Sequence, residues 1–122
     1  MDFLAVFIGG GLGALVRYLL YLILPKGCYF PLCTLTANFF GCFIASAVFT
    51  YFVLKSDTNS IYKILLIVGF CGGLSTLSAM SLEVTHFVQT GHYLRATAYI
   101  LTSLLICTIS VILGIALVKK YV

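Results

Sequence analysis

The chain has 122 residues, of which 62% are hydrophobic and 8% are charged, and its formal net charge is +4. A soluble domain carries roughly 25% charged residues, and a domain this small has a high ratio of surface to volume. The composition therefore excludes a soluble enzyme, a disordered regulator and a nucleic-acid-binding domain, whose basic residues would have to cluster on one face. It predicts a protein whose surface mostly contacts membrane lipid and which has no nucleic-acid partner.

Four apolar stretches, separated by short connections, occupy residues 3–24, 31–54, 61–88 and 93–118. Each is at least as long as the ~20 residues that cross a bilayer core of ~30 Å. In lipid a helix satisfies its own backbone hydrogen bonds, and runs of this length are helices. The sequence therefore predicts an all-α protein, one domain over residues 1–122, that crosses the cell membrane several times.

Such a bundle encloses little, so we expect an oligomer, with a dimer as the simplest case. Four lysines would lie on the side of the termini, against two or three basic residues on the other side. This is a weak positive-inside bias. It slightly favours cytoplasmic termini, and it is compatible with dual insertion or with an oppositely oriented partner.

The first span carries small residues at a spacing of four, in the pairs Gly9/Gly13 and Gly10/Ala14. Small residues at this spacing allow two helix backbones to approach closely. Arg17 lies later in the same span. It would either extend to the lipid headgroups or set a positive potential at an anion vestibule.

The second span has another stripe of small residues, formed by Ala37, Gly41 and Ala45. Asn38 neighbours this stripe and is too polar to face lipid. Two interpretations are open for it: a structural hydrogen bond between helices, or an amide donor that lines a pore.

The third span is unusual because residues 69–76 contain three glycines and two hydroxyl side chains near its middle. These residues weaken a helix, and broken helices at membrane depth mark transport sites. We expect a break here. The alternative is a continuous helix whose glycines serve packing.

Polar side chains follow the expected break, namely Ser75, Thr76, Ser78, Ser81 and Glu83. A track of hydroxyl groups suits a small, strongly hydrated anion, because donors must replace its water. Glu83 within a span is a candidate functional residue. The alternative is a carboxylate at the membrane interface that pairs with His86 or Arg95.

The fourth span places Tyr99, Ser103 and Cys107 on one helix face, which by itself indicates helix packing. The five cysteines contain no CxxC pair, and we interpret them as free packing thiols. No nucleophile–base pair stands out, so we do not expect an enzyme.

Three segments, residues 10–18, 34–41 and 69–76, together resemble the Fluc (CrcB) family of fluoride channels. They occur in the same order, one in each of the first three spans. The resemblance implies a fluoride-selective channel that lets accumulated fluoride leave the cytoplasm. It also implies a dual-topology dimer of two antiparallel four-span subunits, with a structural sodium ion (Na+), not transported, at its centre.

The resemblance also assigns roles to individual residues. Backbone carbonyls of Gly72 and Ser75 would hold the sodium ion, and Arg17 would be the vestibule arginine. The pore-lining positions would be Asn38, Ser78, Glu83, Tyr99 and Ser103.

The sequence departs from the family after the break, where the family has two phenylalanines and this chain has Leu77 and Met80. Aromatic edges carry partial positive charge, and neither replacement offers it. The chain therefore resembles one subunit of a two-gene heterodimer. The alternatives are a non-conducting partner subunit and a four-span transporter of the small multidrug-resistance type.

Overall fold

The computed structural model describes residues 1–56 and 61–122, and within this part of the chain all regular structure is helical. The helices are α1 (Asp2–Ile23), α2 (Leu32–Leu54), α3 (residues 61–74), α4 (Leu77–Gln89) and α5 (Tyr93–Tyr121). Of the connection expected between the second and third spans, residues 57–60 lie outside the described residues.

Four helical segments are long and apolar enough to cross a membrane: Asp2–Ile23, Leu32–Leu54, Ile61–Gln89 and Tyr93–Tyr121. The third of these consists of α3 followed by α4. The prediction of an all-α, multi-pass membrane protein is confirmed.

The helices pack in two main pairs, α1 along α3 and α2 along α5, while α4 packs against α5. Glycines make the first pair close. A Cβ atom built on Gly69 would lie 2.9 Å from the Cα of Gly9, and one built on Gly73 would lie 3.0 Å from the Cα of Gly10. The close packing predicted for the first span is therefore confirmed, and its partner is the first half of the third span.

The second pair is joined by small and polar side chains. Ala37 and Tyr99 are fully buried, and the hydroxyl of Ser110 donates to the carbonyl of Phe39 at 2.5 Å. A buried cluster of Leu35, Phe87, Ala96 and Tyr99 extends this contact toward α4. The second and fourth spans thus form the wall against which α4 is positioned.

The third span is broken, as the sequence predicts. Ser75 (φ −75°, ψ 150°) and Thr76 (φ −153°, ψ 117°) are extended and separate α3 from α4. Gly69 and Gly73 stay helical and pack against α1, so part of the alternative interpretation also applies.

Most of α3, Ile64–Cys71, is π-helical, which the sequence does not predict. A π-helix closes its hydrogen bonds over five residues instead of four, and such turns occur frequently at functional sites. Here the wide turns lie directly before the break and against α1. They bring Gly69 and Gly73 onto the face that contacts Gly9 and Gly10.

Candidate functional site

Asn38 holds the break in the third span. Its side-chain oxygen accepts a hydrogen bond from the N–H of Thr76 at 2.7 Å, and its amide nitrogen donates to the carbonyl of Thr76 at 3.4 Å. Both groups are buried. One side chain of α2 therefore satisfies the peptide groups that the break removes from the helix.

Two carbonyl groups at the break have no hydrogen-bond donor from the helix. In a continuous helix the carbonyl of Gly72 would accept from the N–H of Thr76, and that of Ser75 from the N–H of Ala79. Instead, Thr76 donates to Asn38, and Ala79 donates to the hydroxyl of Thr76 at 3.2 Å. The carbonyls of Gly72 and Ser75 thus lose their helical donors, and oxygen atoms of this kind suit a hard cation.

Thr76 also begins the second half of the span. Its hydroxyl accepts the bond from Ala79 as the N-cap of α4 and lies 3.0 Å from the hydroxyl of Ser78. Threonine is a favoured N-cap because its oxygen satisfies a free N–H group of the first turn. The sequence identifies Thr76 only as a hydroxyl residue of the third span, although its position before an apolar helical run could have indicated the role of N-cap.

Glu83 joins three helices. Its carboxylate accepts a hydrogen bond from the hydroxyl of Thr34 on α2 and another from the hydroxyl of Tyr99 on α5, each at 2.6 Å. Thr34 and Tyr99 are buried, so this polar network lies within the bundle. The sequence does not predict the hydrogen bond of Thr34, because nothing in it indicates which helix faces Glu83.

The expected alternative for Glu83, an interface carboxylate paired with His86 or Arg95, is not what the structure has. Arg95 instead donates from Nη2 to the carbonyl of Cys28 at 2.8 Å and from Nε to the carbonyl of Tyr29. Its guanidinium also lies 4.7 Å from the ring centre of Tyr29 and 4.5 Å from that of Phe87. Arg95 of α5 therefore binds the backbone of the connection between α1 and α2.

Arg17 lies on a cavity of about 410 Å³ between α1, α2 and α4. Thr34, Thr76 and Glu83 line the same cavity. The arginine is half-buried, and its cavity leads from the end of α1 to the break. The vestibule role of Arg17 stays a prediction, and this cavity is where that role would be exercised.

A second cavity of about 230 Å³ lies on the other side of the break. Its lining includes the predicted site residues Asn38, Ser75, Leu77, Met80 and Ser103. Thr76 lines both cavities, which makes it the residue between them.

Leu77 and Met80, where the resemblance leads us to expect phenylalanines, lie at this second cavity. Leu77 is 75% exposed, and Met80 is partly buried against the cluster of Leu35 and Tyr99. The hydroxyl of Ser103 donates back to the carbonyl of Tyr99 at 2.7 Å, as serine often does in helices. Gly72, exposed at the other side of the break, lines neither cavity.

Comparison with known proteins gives the context of this site. Residues 4–115 match the family described as CrcB-like protein, Camphor Resistance (CrcB). A protein of Escherichia coli strain K12 named Fluoride-specific ion channel FluC is 42% identical over 103 residues, covering 84% of this chain and 81% of that protein.

Proteins with the same name in other bacteria are similarly related. The protein from Saccharophagus degradans is 33% identical over 120 residues, covering 98% of this chain and 90% of its own length. The protein from Serratia proteamaculans is 39% identical over 102 residues, covering 83% and 80%. With a family match over nearly its whole length and relatives of this similarity, the chain belongs to the CrcB family.

Proposed function

We propose that this chain is a subunit of a fluoride-selective ion channel in the cell membrane. The observation that carries the proposal is its membership of the CrcB family, whose relatives at 33–42% identity are named fluoride-specific ion channels. Family membership also favours this function over that of a small multidrug-resistance transporter. Fluoride is then the transported ion, and the helices are surrounded by membrane lipid.

The site offers what a small hydrated anion needs when it leaves water, namely charge and hydrogen-bond donors. Arg17 supplies positive charge at the larger cavity. The amide of Asn38 has two N–H groups, of which one donates to Thr76, so the other is available to an anion in the smaller cavity. Ser78, exposed beside the break, adds a hydroxyl group.

Glu83 has a different part in this proposal. Its carboxylate would repel an anion, but its two oxygens accept hydrogen bonds from Thr34 and Tyr99. Such charge-assisted bonds are roughly twice as strong as neutral ones. These bonds disperse the carboxylate charge, and they hold α2, α4 and α5 together beside the proposed path of the anion.

The direction of transport follows from electrostatics. A channel lets an ion move down its electrochemical gradient, and moving one charge across ~100 mV changes its free energy by about 2.3 kcal/mol. A membrane potential that is negative inside drives fluoride outward. The channel would therefore lower intracellular fluoride.

We also propose that two antiparallel four-span subunits form the channel around one structural sodium ion. The carbonyls of Gly72 and Ser75, which have lost their helical donors, are the groups that would hold it. In the part of the chain that the structure describes, no group of three His, Cys, Asp or Glu side chains is placed to bind a metal. When bound, the ion would supply positive charge between the two breaks and hold them in place.

A specific observation favours a heteromeric form of this function. The side chains of Leu77 and Met80 at the smaller cavity are aliphatic, where the family has aromatic rings. A partner subunit with both phenylalanines would supply the ring edges that this chain lacks. In the extreme form of such a pair, this chain does not itself conduct fluoride and only the partner subunit does.

Anion release from liposomes tests the function. The chain is reconstituted together with a CrcB subunit that has both phenylalanines, and a fluoride electrode and a chloride electrode follow efflux from matched vesicles. We expect rapid release of fluoride and retention of chloride. Equal release of both ions, or release of neither, would contradict the proposal.

A further inference from the structure

Three sulfur-containing side chains line the smaller cavity, each from a different helix. They are Cys42 of α2, Met80 of α4 and Cys107 of α5. Cys42 lies one helical turn after Asn38, and Cys107 lies one turn after Ser103, so each thiol shares a helix face with a predicted pore residue. The cavity of about 230 Å³ has room for an ion among them.

Cys42 and Cys107 line this cavity from α2 and α5, two helices that pack along each other. Both are free and partly buried, and neither is in a disulfide. Sequence analysis interpreted them as packing thiols, because residues 65 positions apart in a sequence give no sign that they face the same cavity.

Thiolate and thioether groups are soft ligands, and they select soft cations such as Cu⁺. Hard cations such as sodium prefer oxygen ligands, such as the carbonyls of Gly72 and Ser75 at the break. Ser75 lines the same cavity, so the sulfur set differs from the proposed sodium ligands in its chemistry and lies beside them.

We propose that Cys42, Cys107 and Met80 form a binding site for a soft monovalent cation, Cu⁺, beside Asn38. On binding, the two S–H bonds break, two Cu–S bonds form, and two protons pass to water. The thioether of Met80 donates a lone pair as the third ligand. No electron is transferred, and affinity rises with pH because binding releases protons.

The bound state has a consequence for transport, which rests on the proposed function. Two thiolates and one Cu⁺ carry a net charge of −1, where two neutral thiols carried none. This charge lies one helical turn from Asn38, at the donor that an entering anion would use. Cu⁺ would therefore block the passage of fluoride.

Copper binding is measured without any transport. The purified full chain in detergent competes for Cu⁺ with the chromogenic chelator bicinchoninate under anaerobic, reducing conditions. We expect one Cu⁺ per chain for the wild type and for a control with Cys28→Ser and Cys33→Ser. Cys42→Ser with Cys107→Ser should lower the affinity by more than the roughly 10- to 100-fold that loss of an outer-shell partner costs.

A second variant covers the case in which the double serine variant does not fold. Met80→Leu keeps the size and apolar character of the side chain and removes only the sulfur, so we expect weaker copper binding by a folded protein. Unchanged affinity in Met80→Leu, or in a folded Cys42→Ser/Cys107→Ser variant, would overturn the site. Loss of binding in the Cys28/Cys33 control would overturn it as well.

Transport is the separate, second test. With copper bound, fluoride release should fall in channels that pair the wild-type chain with a subunit that has both phenylalanines, while paired channels with Cys42→Ser and Cys107→Ser should not respond to copper. Copper that binds the wild type and leaves its fluoride release unchanged would overturn the block. Failure of fluoride transport itself would appear without copper, so it is distinguishable from failure of the copper site.

Discussion

At the scale of single residues, Asn38 serves both the fold and the proposed pore. Its amide binds both peptide groups of Thr76, so it stabilises the break that separates α3 from α4. The second N–H of the same amide is oriented by those two bonds, which reduces the entropy lost when it binds an anion. The two interpretations that the sequence leaves open for Asn38 are therefore compatible.

Replacing Asn38 by Asp in a conducting background, such as the Leu77→Phe/Met80→Phe variant, should abolish fluoride release while the protein still folds. The carboxylate can still accept the bond from Thr76, but it adds a negative charge that repels fluoride by about 4 kcal/mol at about 4 Å and an effective dielectric constant of about 20. Fluoride-electrode recordings measure the effect. Thr50→Ala, which removes another buried polar group of α2 far from the break, is the matched control. Undiminished release from a folded Asn38→Asp channel would limit Asn38 to packing.

Thr76 gives a test of the cap on α4. Thr76→Val removes the hydroxyl that accepts from Ala79 and should lower the free energy of unfolding by about 1 kcal/mol, the usual cost of a lost N-cap. Thr76→Ser keeps the hydroxyl and should retain most of the stability. Chemical unfolding in detergent followed by circular dichroism compares the two. Equal stability of Val and Ser variants would mean that the cap contributes little.

At the scale of elements, the break depends on the close contact of α1 with α3. Glycines on both helices let the two backbones approach, and this contact fixes the end of α3 from which the carbonyl of Gly72 emerges. A change in the distance between α1 and α3 should therefore alter the geometry of the break. This holds although α1 contributes only Arg17 to the predicted site residues.

Gly69→Ala tests this contact. The added methyl group would lie 2.9 Å from the Cα of Gly9, where backbone cannot yield easily, and overpacking of this kind costs roughly 1–3 kcal/mol. Gly11→Ala, on α1 but outside the interface with α3, is the control, because its methyl group would meet nothing within 4 Å. Thermal unfolding should show a loss for Gly69→Ala and none for Gly11→Ala, since alanine favours helix. Similar losses in both variants would contradict the contact.

Arg95 provides a test of the connection between α1 and α2. Arg95→Ala removes two hydrogen bonds to the carbonyls of Cys28 and Tyr29, so this connection should open and trypsin should cut faster after Lys26. The bonds after Lys119 and Lys120 at the other end of α5 are the internal control and should be cut at unchanged rates. Unchanged cleavage after Lys26 would show that Arg95 does not hold the connection.

The sequence predicts the elements well and their mutual contacts poorly. The length of the apolar stretches predicts the four spans, and the cluster of glycine and hydroxyl residues at 69–76 predicts the break. Both are local properties of the sequence. The partners of Glu83, by contrast, lie 49 residues before it and 16 residues after it, on other helices. The π-helical turns of α3 lie against α1, and no local pattern of the sequence predicts them.

At the scale of the whole molecule, one subunit leaves polar groups on its surface where lipid would not satisfy them. The backbone at Gly72 is exposed beside the break, and its carbonyl has lost its helical donor. The large side chain of Leu77 is exposed on the other side of the break. In hydrocarbon, unsatisfied polar groups cost several kcal/mol each. A second subunit that covers this surface is the arrangement that we propose.

The departure at Leu77 and Met80 predicts how the single chain behaves. Liposomes with the wild-type chain alone should release fluoride slowly or not at all, because this subunit lacks ring edges at the smaller cavity. Co-reconstitution with a subunit that has both phenylalanines should raise the rate. Robust fluoride release from the purified single chain would refute the heterodimer argument and show that Leu77 and Met80 suffice.

Fluoride-selective conduction is the central claim, and anion efflux from liposomes that contain the variant Leu77→Phe/Met80→Phe tests it most directly. This variant restores both family residues in one polypeptide, so no unidentified partner is needed. We predict that it releases fluoride much faster than the wild-type chain and retains chloride, as read by fluoride and chloride electrodes on matched vesicles. A folded variant that releases chloride as readily as fluoride, or that releases no fluoride, would contradict the account.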